Sequence, residues 1–275
     1  MKKSIVWLAS YPKSGNTWTR IFLANYLTNA KEPVPINQVH KFGMGDSIPK
    51  TYQMVGGGNV DTMNINVTLG LRDRVLRGIV ANNADVNLVK THNINRPTLG
   101  VDLIPEQYTR SAIYIMRNPL DLVLSYARHY GMGADETIEA ISRSDHVNNP
   151  DETTVYQILG SWSDHVQSWT AKSSFPICVL RYEDMLSDPQ EAFTKVLQNI
   201  GVPVEQERLD RAIRHSSFKE VSKQEKQSGF AERSRHSETF FSSGTSDNWK
   251  SELSEEQVAR VRRIHRKTMK QYGYF

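Results

Sequence analysis

The hydrophobic positions of the chain form short, continuous runs that alternate with longer amphipathic runs. Four mainly apolar runs have the length and continuity of strands that are buried on both faces: 5–9, 86–89, 112–116 and 177–180. Apolar residues at helical spacing follow residue 17 and recur at 69–81, 119–131, 155–169 and 189–200. Strands that alternate with helices predict an α/β fold of three layers, in which helices cover both faces of a parallel sheet.

Three stretches lack periodicity: 40–66, 132–152 and 224–247. Prolines and glycines, including Pro49 and the run 56–58, interrupt the first of them. Because long loops inside compact domains are usually functional, we expect these three to form the rim of a site. A tolerated surface insertion is the alternative for the first. Further on, residues 205–223 predict one or two short helices, and Ser254 with Gln257 predicts the start of a last helix.

Composition indicates an ordinary globular protein. With 275 residues, 38% hydrophobic and 23% charged, the sequence fits a single α/β domain over 1–275. No apolar run approaches the ~20 residues that span a bilayer, and the run ending at Ala9 is too short for a signal peptide, so we expect a cytoplasmic location. The single Cys178 excludes an internal disulfide, and its apolar neighbours favour a small buried hydrophobe over a nucleophile.

The charge balance weakly favours an anionic ligand. The formal net charge is +4, from 34 basic and 30 acidic residues that are interspersed. The densest basic tract, 260–267, keeps apolar residues at helical spacing, which favours a solvated helix face. We therefore predict neither a nucleic-acid nor a membrane partner. A non-enzymatic binder of polyanions that uses this tract is the alternative outside the enzymes.

A candidate anion site lies at 10–18, directly after the first predicted strand. This stretch reads Ser-Tyr-Pro-Lys-Ser-Gly-Asn-Thr-Trp and leads into the first helix. The first N–H groups of a helix have no partner within it and point outward with the positive end of the helix dipole. The stretch therefore predicts a cradle for phosphate or sulfate, to which Lys13, Ser14 and Thr17 add a cation and two hydroxyls.

Nearly every predicted strand ends in a cation or a hydrogen-bond donor. These residues are Lys13, Lys90, His92, Arg117, Arg181 and Tyr182. The carboxyl ends of parallel strands share one edge of the sheet, where ligands bind. A nucleotide-dependent kinase, the alternative within this fold, needs a G-x-x-x-x-G-K-[ST] loop and a carboxylate for magnesium. The loop here has one glycine, only Asp184 offers the acid, and we therefore expect group transfer without a metal ion.

The motifs resemble those of the soluble sulfotransferases that use 3′-phosphoadenylyl sulfate (PAPS). The stretch 11–18 is similar to their 5′-phosphosulfate loop, with Asn16 where threonine is usual, and 117–126 to their 3′-phosphate segment. Lys90-Thr91-His92 resembles the catalytic-histidine motif, 181–185 a fourth-strand motif, and 216–218 a turn that clasps the cofactor. The resemblance implies a P-loop-like fold and transfer of a sulfonyl group to an alcohol or phenol.

The resemblance also implies roles for individual residues. His92 would be the general base, Lys13 would stabilise the leaving group, and Lys90 would assist at the sulfonyl oxygens. The residues expected to bind PAPS or its product 3′,5′-adenosine bisphosphate (PAP) are Lys13, Ser14, Gly15, Asn16, Thr17, Trp18, Arg117, Ser125, Tyr182, Ser216, Phe218, Ser242, Ser243 and Gly244. The acceptor would be a small molecule, with His40, Phe42, Tyr52 and Tyr130 as candidate contacts.

The chain departs from the family pattern near its end. Ser242 and Ser243 stand where the family has Arg-Lys before a glycine, here Gly244, which removes two charge-assisted contacts to the 3′-phosphate. Either PAPS is held more weakly, or Arg233 or Arg235 compensates. A homodimer is a further partner hypothesis, although the dimer motif of many animal members is not recognisable at 250–259.

Overall fold

The computed structural model describes residues 2–275 as an α/β structure. The strands are β1 (Ile5–Ser10), β2 (Met44–Gly45), β3 (Asn87–Thr91), β4 (Thr109–Met116), β5 (Val147–Asn148), β6 (Gln157–Ile158) and β7 (Ile177–Arg181). The α-helices are α1 (Asn16–Thr28), α2 (Pro49–Gly56), α3 (Ile65–Val80), α4 (Pro119–Tyr130), α5 (Ala134–Ser142), α6 (Trp162–Thr170), α7 (Tyr182–Ser187), α8 (Pro189–Ile200), α9 (Gln206–His215), α10 (Phe218–Ser228), α11 (Trp249–Glu252) and α12 (Glu255–Gln271). A 3₁₀ helix spans Ile36–Phe42.

The main sheet has five parallel strands in the order β2-β3-β1-β4-β7. Because β1 lies in the middle, its carboxyl end is flanked by the ends of β3 and β4. The order first proceeds from β1 to one side and later to the other, which places the point of reversal beside β1. A separate antiparallel pair, β5 with β6, forms a short hairpin outside this sheet.

Helices cover both faces of the sheet, as the continuous apolar strands predict. Along β1, Ile5, Trp7 and Ala9 join a core that includes residues of α3, α4, α6 and α12. Val6 and Leu8 point the other way, into a core with residues of α1, α8 and α9. The three-layer α/β prediction is therefore confirmed. None of the helices within 2–275 combines the length and apolar character that crossing a membrane requires.

Several predicted boundaries were wrong. The predicted loop 40–66 contains part of the 3₁₀ helix, β2 and α2, and the loop 132–152 contains α5 and β5. The helix predicted over 155–169 begins only at Trp162, since Gly160 adopts a positive φ of 65° and Ser161 caps the helix. The last irregular stretch starts later than predicted, because α10 continues to Ser228.

The predicted helix starts were more accurate. Ser254 and Gln257 form the expected capping box of α12, and Asp188 caps α8 by accepting from the Glu191 N–H. The basic tract lies on α12, where Val261 and His265 are buried, Arg262 is half-buried, and Arg263, Arg266 and Lys267 are exposed. Cys178 packs beside the second core, and burial raises the pKa of its thiol to about 11, so it stays protonated at neutral pH.

Candidate active site

A large cavity opens at the carboxyl ends of the central strands. Its volume is about 1310 Å³, larger than the ~300–1,000 Å³ of a typical single-ligand pocket. One side, which we call the cradle side, is formed by the stretch 10–18 with the start of α1, by the residues after β3, β4 and β7, by Ser125, and by the segments 216–218 and 242–244. The β5–β6 hairpin and the end of α4 form the opposite side, which we call the hairpin side.

The cradle side begins with the turn from β1 into α1. Gly15 has a φ of 106°, and a Cβ at this position would lie 2.8 Å from the Tyr182 ring, so only glycine fits. The Asn16 amide group donates to the Leu8 carbonyl at 2.7 Å, which ties the turn back to β1. Within 2–275 the start of α1 has no side-chain cap. The first N–H groups of α1 are therefore free to bind an anion.

Lys13 lies in this turn with a positive φ of 69°. Its Nζ is 3.8 Å from the centre of the Phe240 ring, which is a cation–π contact. Burial, followed by repulsion from Lys90 and Arg117, lowers the pKa of Lys13 to about 7. Burial likewise lowers the pKa of Lys90. The cavity thus concentrates positive charge that a bound anion would neutralise.

His92 follows β3 and lines the cavity. Its Nδ1 lies 2.8 Å from the Ser10 carbonyl oxygen. Because a carbonyl can only accept, Nδ1 carries the hydrogen and Nε2 keeps a lone pair. Burial, with a smaller contribution from Lys90, lowers the pKa of His92 to about 3, so the ring is neutral at physiological pH. His92 therefore presents the protonation state of a base.

Asp46, which the sequence did not indicate, anchors the segment that carries His92. Its carboxylate accepts from Arg72 at 2.7 Å, from the Thr91 hydroxyl at 2.7 Å and from the Asn93 amide at 3.1 Å. Burial acts to raise the pKa of Asp46, but Arg72 and the hydrogen bonds outweigh it and keep that pKa below its usual value. The residues on either side of His92 are thus held by one buried ion pair.

Arg117 reaches the cavity from the end of β4. Its guanidinium lies 4.4 Å from the Tyr182 ring centre and donates to the Lys13 carbonyl at 3.2 Å. Its Nε is buried without a partner among residues 2–275.

Gly244 packs on Phe218 so closely that a Cβ would lie 2.4 Å from the ring. The turn at residue 218 and the segment before α11 therefore close the same end of the cavity.

Of the residues predicted to act in catalysis or to bind PAPS, all but Ser14 line the cavity. Those that line the cavity are Lys13, Gly15, Asn16, Thr17, Trp18, Lys90, His92, Arg117, Ser125, Tyr182, Ser216, Phe218, Ser242, Ser243 and Gly244. Ser14 is fully buried, its hydroxyl has no partner within 2–275, and its side chain does not line the cavity. Trp18 packs edge-on against both Tyr182 and Phe193.

Arg233 and Arg235, the residues considered as compensation for Ser242 and Ser243, also line the cavity. Arg233 donates to the Glu238 carbonyl at 2.8 Å, and the Nε of Arg235 lies 3.2 Å from Nε2 of His236. Both arginines therefore belong to the segment that covers the cavity, as the compensation hypothesis requires.

Glu232 is a second residue that sequence reasoning missed. It forms a 2.7 Å ion pair with Arg20 and accepts from the Thr17 hydroxyl at 3.1 Å. Burial acts to raise its pKa, but Lys90 and Arg20 outweigh burial and lower the pKa of Glu232 to about 2. An isolated acid in a polar loop gives no sequence signal of a partner 212 residues earlier.

The candidate acceptor contacts were partly wrong. His40 and Tyr130 line the cavity. Tyr52 instead lies in the core, where its hydroxyl donates to the Asp46 carbonyl at 3.1 Å, and Phe42 packs in a separate cluster behind α1. Both aromatics were selected for their place in an apparently irregular stretch, which folds into helices that turn them away from the cavity.

The kinase alternative relied on Asp184 as a metal ligand. Asp184 lies outside the cavity lining, 3.8 Å from Arg181 and largely exposed. Within 2–275 no group of three or more His, Cys, Asp or Glu side chains is arranged to hold a metal ion. Arg181 and Tyr182 were the residues predicted at the end of β7. Of these two, only Tyr182 lines the cavity.

The fold and the cation-rich cavity define a P-loop-like α/β protein. The profile of the family described as "Sulfotransferase domain" matches residues 3–273, and the chain therefore belongs to the sulfotransferase family. Mouse sulfotransferase 1 family member D1 is 26% identical over 282 residues, covering 95% of this chain and 82% of that protein. Luciferin sulfotransferase of Photinus pyralis is 26% identical over 283 residues, covering 94% and 70%.

Solved structures agree on the fold. A mouse sulfotransferase complexed with PAP superposes with a TM-score of 0.62 at 19% identity, covering 98% of this chain and 84% of that one. Retinol dehydratase in complex with retinol and PAP gives a TM-score of 0.65 at 17% identity, covering 98% and 82%. At these identities the two structures establish the common architecture alone.

Proposed function

We propose that this sulfotransferase moves the sulfonyl group of PAPS to a hydroxyl of a small-molecule acceptor, with His92 as the general base. The observation that carries the proposal is the convergence of His92, Lys13, Lys90 and Arg117 on one cavity, with Nε2 of His92 bearing a lone pair. Family membership and the PAP in the related structures support PAPS as the donor.

The phosphosulfate end of PAPS binds on the cradle side. The first N–H groups of α1 hold the 5′-phosphate, since they follow the Gly15 turn and line the cavity. The Thr17 hydroxyl joins them when its hydrogen turns from Glu232 to the phosphate. Lys13 faces the oxygen that bridges phosphorus and sulfur, and Lys90 assists at the sulfonyl oxygens. Because the burial that lowers the pKa of Lys13 also excludes water, each cation acts more strongly on a developing negative charge.

The nucleotide end binds between α4, Tyr182 and the Phe218 turn. Arg117 and Ser125 hold the 3′-phosphate, and Trp18 and Phe218 flank the adenine. The position of Arg117 supports this role, because its cationic guanidinium lines the cavity at the end of β4 and packs on the Tyr182 ring at 4.4 Å. The Gly244 N–H and the hydroxyls of Ser242 and Ser243 replace only part of what two cations would contribute.

In the reaction, the acceptor oxygen forms a bond to sulfur while the bond between sulfur and the bridging oxygen breaks. The acceptor proton passes to Nε2 of His92, and PAP leaves with the negative charge that Lys13 stabilises. Burial accounts for most of the lowering of the His92 pKa to about 3, and the positive charge of Lys90 accounts for a smaller part. Anionic donor groups beside Lys90 raise that pKa toward the range in which a histidine base is effective.

The first experiment is a thermal-shift titration with PAP, and with ATP in the presence and absence of magnesium. We expect PAP to raise the melting temperature without metal. Arg117→Ala should abolish most of this shift, because a charge-assisted contact is worth ~1.5–3 kcal/mol. Arg74→Ala, which removes an exposed arginine of α3, is the matched control and should leave the shift intact. A preference for ATP with magnesium would instead support the kinase.

The cytoplasmic location and the homodimer stay predictions. A gel-filtration experiment with light scattering measures the oligomeric state directly, and its result does not affect the assignment of the cavity.

A further inference from the structure

The hairpin side of the cavity carries a hydrogen-bonded wall beside the apolar side chains of Met132 and Val147. The Asn148 amide is its centre: Oδ1 accepts from the Tyr126 hydroxyl at 2.7 Å, and Nδ2 donates to the Tyr130 hydroxyl at 2.8 Å and to Oε1 of Gln157 at 3.1 Å. His146 lies 2.9 Å from the same Tyr126 oxygen. All five side chains line the cavity.

The hydrogen bonds leave defined groups for a ligand. Tyr126 has one hydroxyl hydrogen, which goes to Asn148, so Nε2 of His146 must be the donor to Tyr126. His146 therefore keeps an acceptor lone pair on Nδ1. Oε1 of Gln157 accepts from the Asn148 amide, and the NH₂ group of Gln157 has no protein partner within 2–275. The wall thus offers both a donor and an acceptor beyond its own network.

These groups lie beside the proposed reaction centre. The hairpin is fixed to the residues after His92 by two bonds of 2.8 Å, from the Ile158 N–H to Oδ1 of Asn93 and from the Ile94 N–H to the Ile158 carbonyl. Gln157 directly precedes Ile158. The wall is therefore tied, through Ile158, to the residues that directly follow His92.

The five side chains of the network are uncharged, and the Asp151 carboxylate lies at the edge of the wall. Burial, followed by Arg143, lowers the pKa of His146 to about 4, so this ring is uncharged at neutral pH. One carboxylate oxygen of Asp151 accepts from the N–H groups of Thr153 and Thr154. The network members Asn148 and Gln157 are less than a tenth exposed. An apolar ligand would leave the buried Gln157 NH₂ without a partner, which is unfavourable.

We infer that the acceptor is an uncharged, polyhydroxylated molecule of the sugar or cyclitol class. One hydroxyl lies at His92, and neighbouring hydroxyls pair with the Gln157 NH₂ and the His146 ring nitrogen. The inference rests on the proposed sulfonyl transfer, because it places the reacting hydroxyl at His92.

The test is an acceptor series on one ring framework: cyclohexanol, cis-1,2-cyclohexanediol and myo-inositol, together with methyl glucoside and 4-nitrophenol. PAP release from PAPS is measured for each. We expect kcat/KM to rise with the number of hydroxyls, by at least about tenfold from cyclohexanol to myo-inositol or methyl glucoside. Higher kcat/KM for cyclohexanol or 4-nitrophenol would overturn the inference.

Two variants connect the preference to the wall. Gln157→Leu removes the amide, and Gln157→Glu keeps the oxygen that bonds Asn148 but removes the NH₂ donor. Each should lower the ratio of polyol to cyclohexanol kcat/KM about tenfold. Gln198→Leu, at an exposed position of α8, is the control and should leave the ratio unchanged. An unchanged ratio in both Gln157 variants would also contradict the inference.

A measurement of PAP binding distinguishes failure of this inference from failure of the proposed function on which it rests. A PAP thermal shift in each variant shows that the protein is folded and that the cradle side is intact. If PAP binds and the apolar alcohols are the better acceptors, the inference fails while the sulfotransferase function stands. If PAP does not stabilise even the wild-type protein, the proposed function fails first.

Discussion

The two sides of the cavity are built in different ways. On the cradle side, most functional residues follow a strand of the main sheet or start a helix, so short sequence motifs and local geometry determine where they lie. On the hairpin side, the shape depends on contacts between segments far apart in the chain, such as Asp46 with Arg72 and Asn93 with Ile158. The positions of the cradle-side residues therefore follow from local sequence and the order of the strands. The positions of the hairpin-side residues depend on tertiary contacts between distant segments.

His92 is the residue that both sides share, and its removal should have the largest effect. His92→Ala is expected to lower kcat by about 10²–10⁴-fold, the usual contribution of a general base. PAP affinity should change little, because the groups that hold PAP lie on the cradle side. Steady-state PAP release and a PAP thermal shift measure the two quantities. Full turnover by the variant would remove His92 from catalysis.

Asp46→Asn tests whether the hairpin side depends on one buried ion pair. Leaving Arg72 unpaired should lower the free energy of unfolding by about 3–5 kcal/mol at pH 7. The folded-state pKa of Asp46 lies below its unfolded value of about 3.9. The stabilisation is therefore present above pH 4 and is lost as the pH falls through the folded pKa, where the difference between wild type and variant should shrink.

Urea unfolding at several pH values measures this difference. Asp102→Asn, at an exposed position, is the control and should match the wild-type protein throughout. A full-sized difference that persists at pH 2 would show that Asp46 contributes through something other than its charge.

Ser242→Arg combined with Ser243→Lys tests how complete the cradle side is. If the two serines leave the 3′-phosphate with too few cations, the double variant should bind PAP at least about tenfold more tightly, since charge-assisted hydrogen bonds contribute ~1.5–3 kcal/mol each. Calorimetry against Ser251→Arg, an exposed position on α11, controls for a general gain of charge. Unchanged affinity would indicate that Arg233 or Arg235 already compensates.

The smallest predicted effect is a pH dependence of PAP binding. With a pKa of about 7 in the free protein, Lys13 is half neutral at pH 7 and must gain a proton to pair with the phosphate. Affinity should therefore fall about fivefold from pH 7 to pH 8, with uptake of a proton that calorimetry in two buffers detects. Lys13→Met should lose this dependence. A flat profile in the wild-type protein would contradict it.

The same contrast explains how far the sequence could predict the structure. The stretch 10–18, the strand-end cations and Arg117 were predictable, because a strand, a glycine turn and a helix start are encoded within a few residues. The three-layer fold followed from four apolar runs. Asp46, Glu232 and Gln157 were not predictable, since each acquires its role from partners in segments that no local pattern connects to it.

The segment before α11 is the part of the cavity wall that belongs to both sides. Phe240 stacks under Lys13 and contacts His129 edge-on, and the N–H groups of Phe240 and Phe241 are held by the Glu225 carboxylate. Under the proposed function, a substitution in this segment that alters acceptor binding also alters the surroundings of Lys13, the cation that contacts the donor. Within 2–275 no contact joins the β5–β6 hairpin to Lys13, so under the proposed function substitutions in the hairpin can change acceptor preference while donor binding is retained.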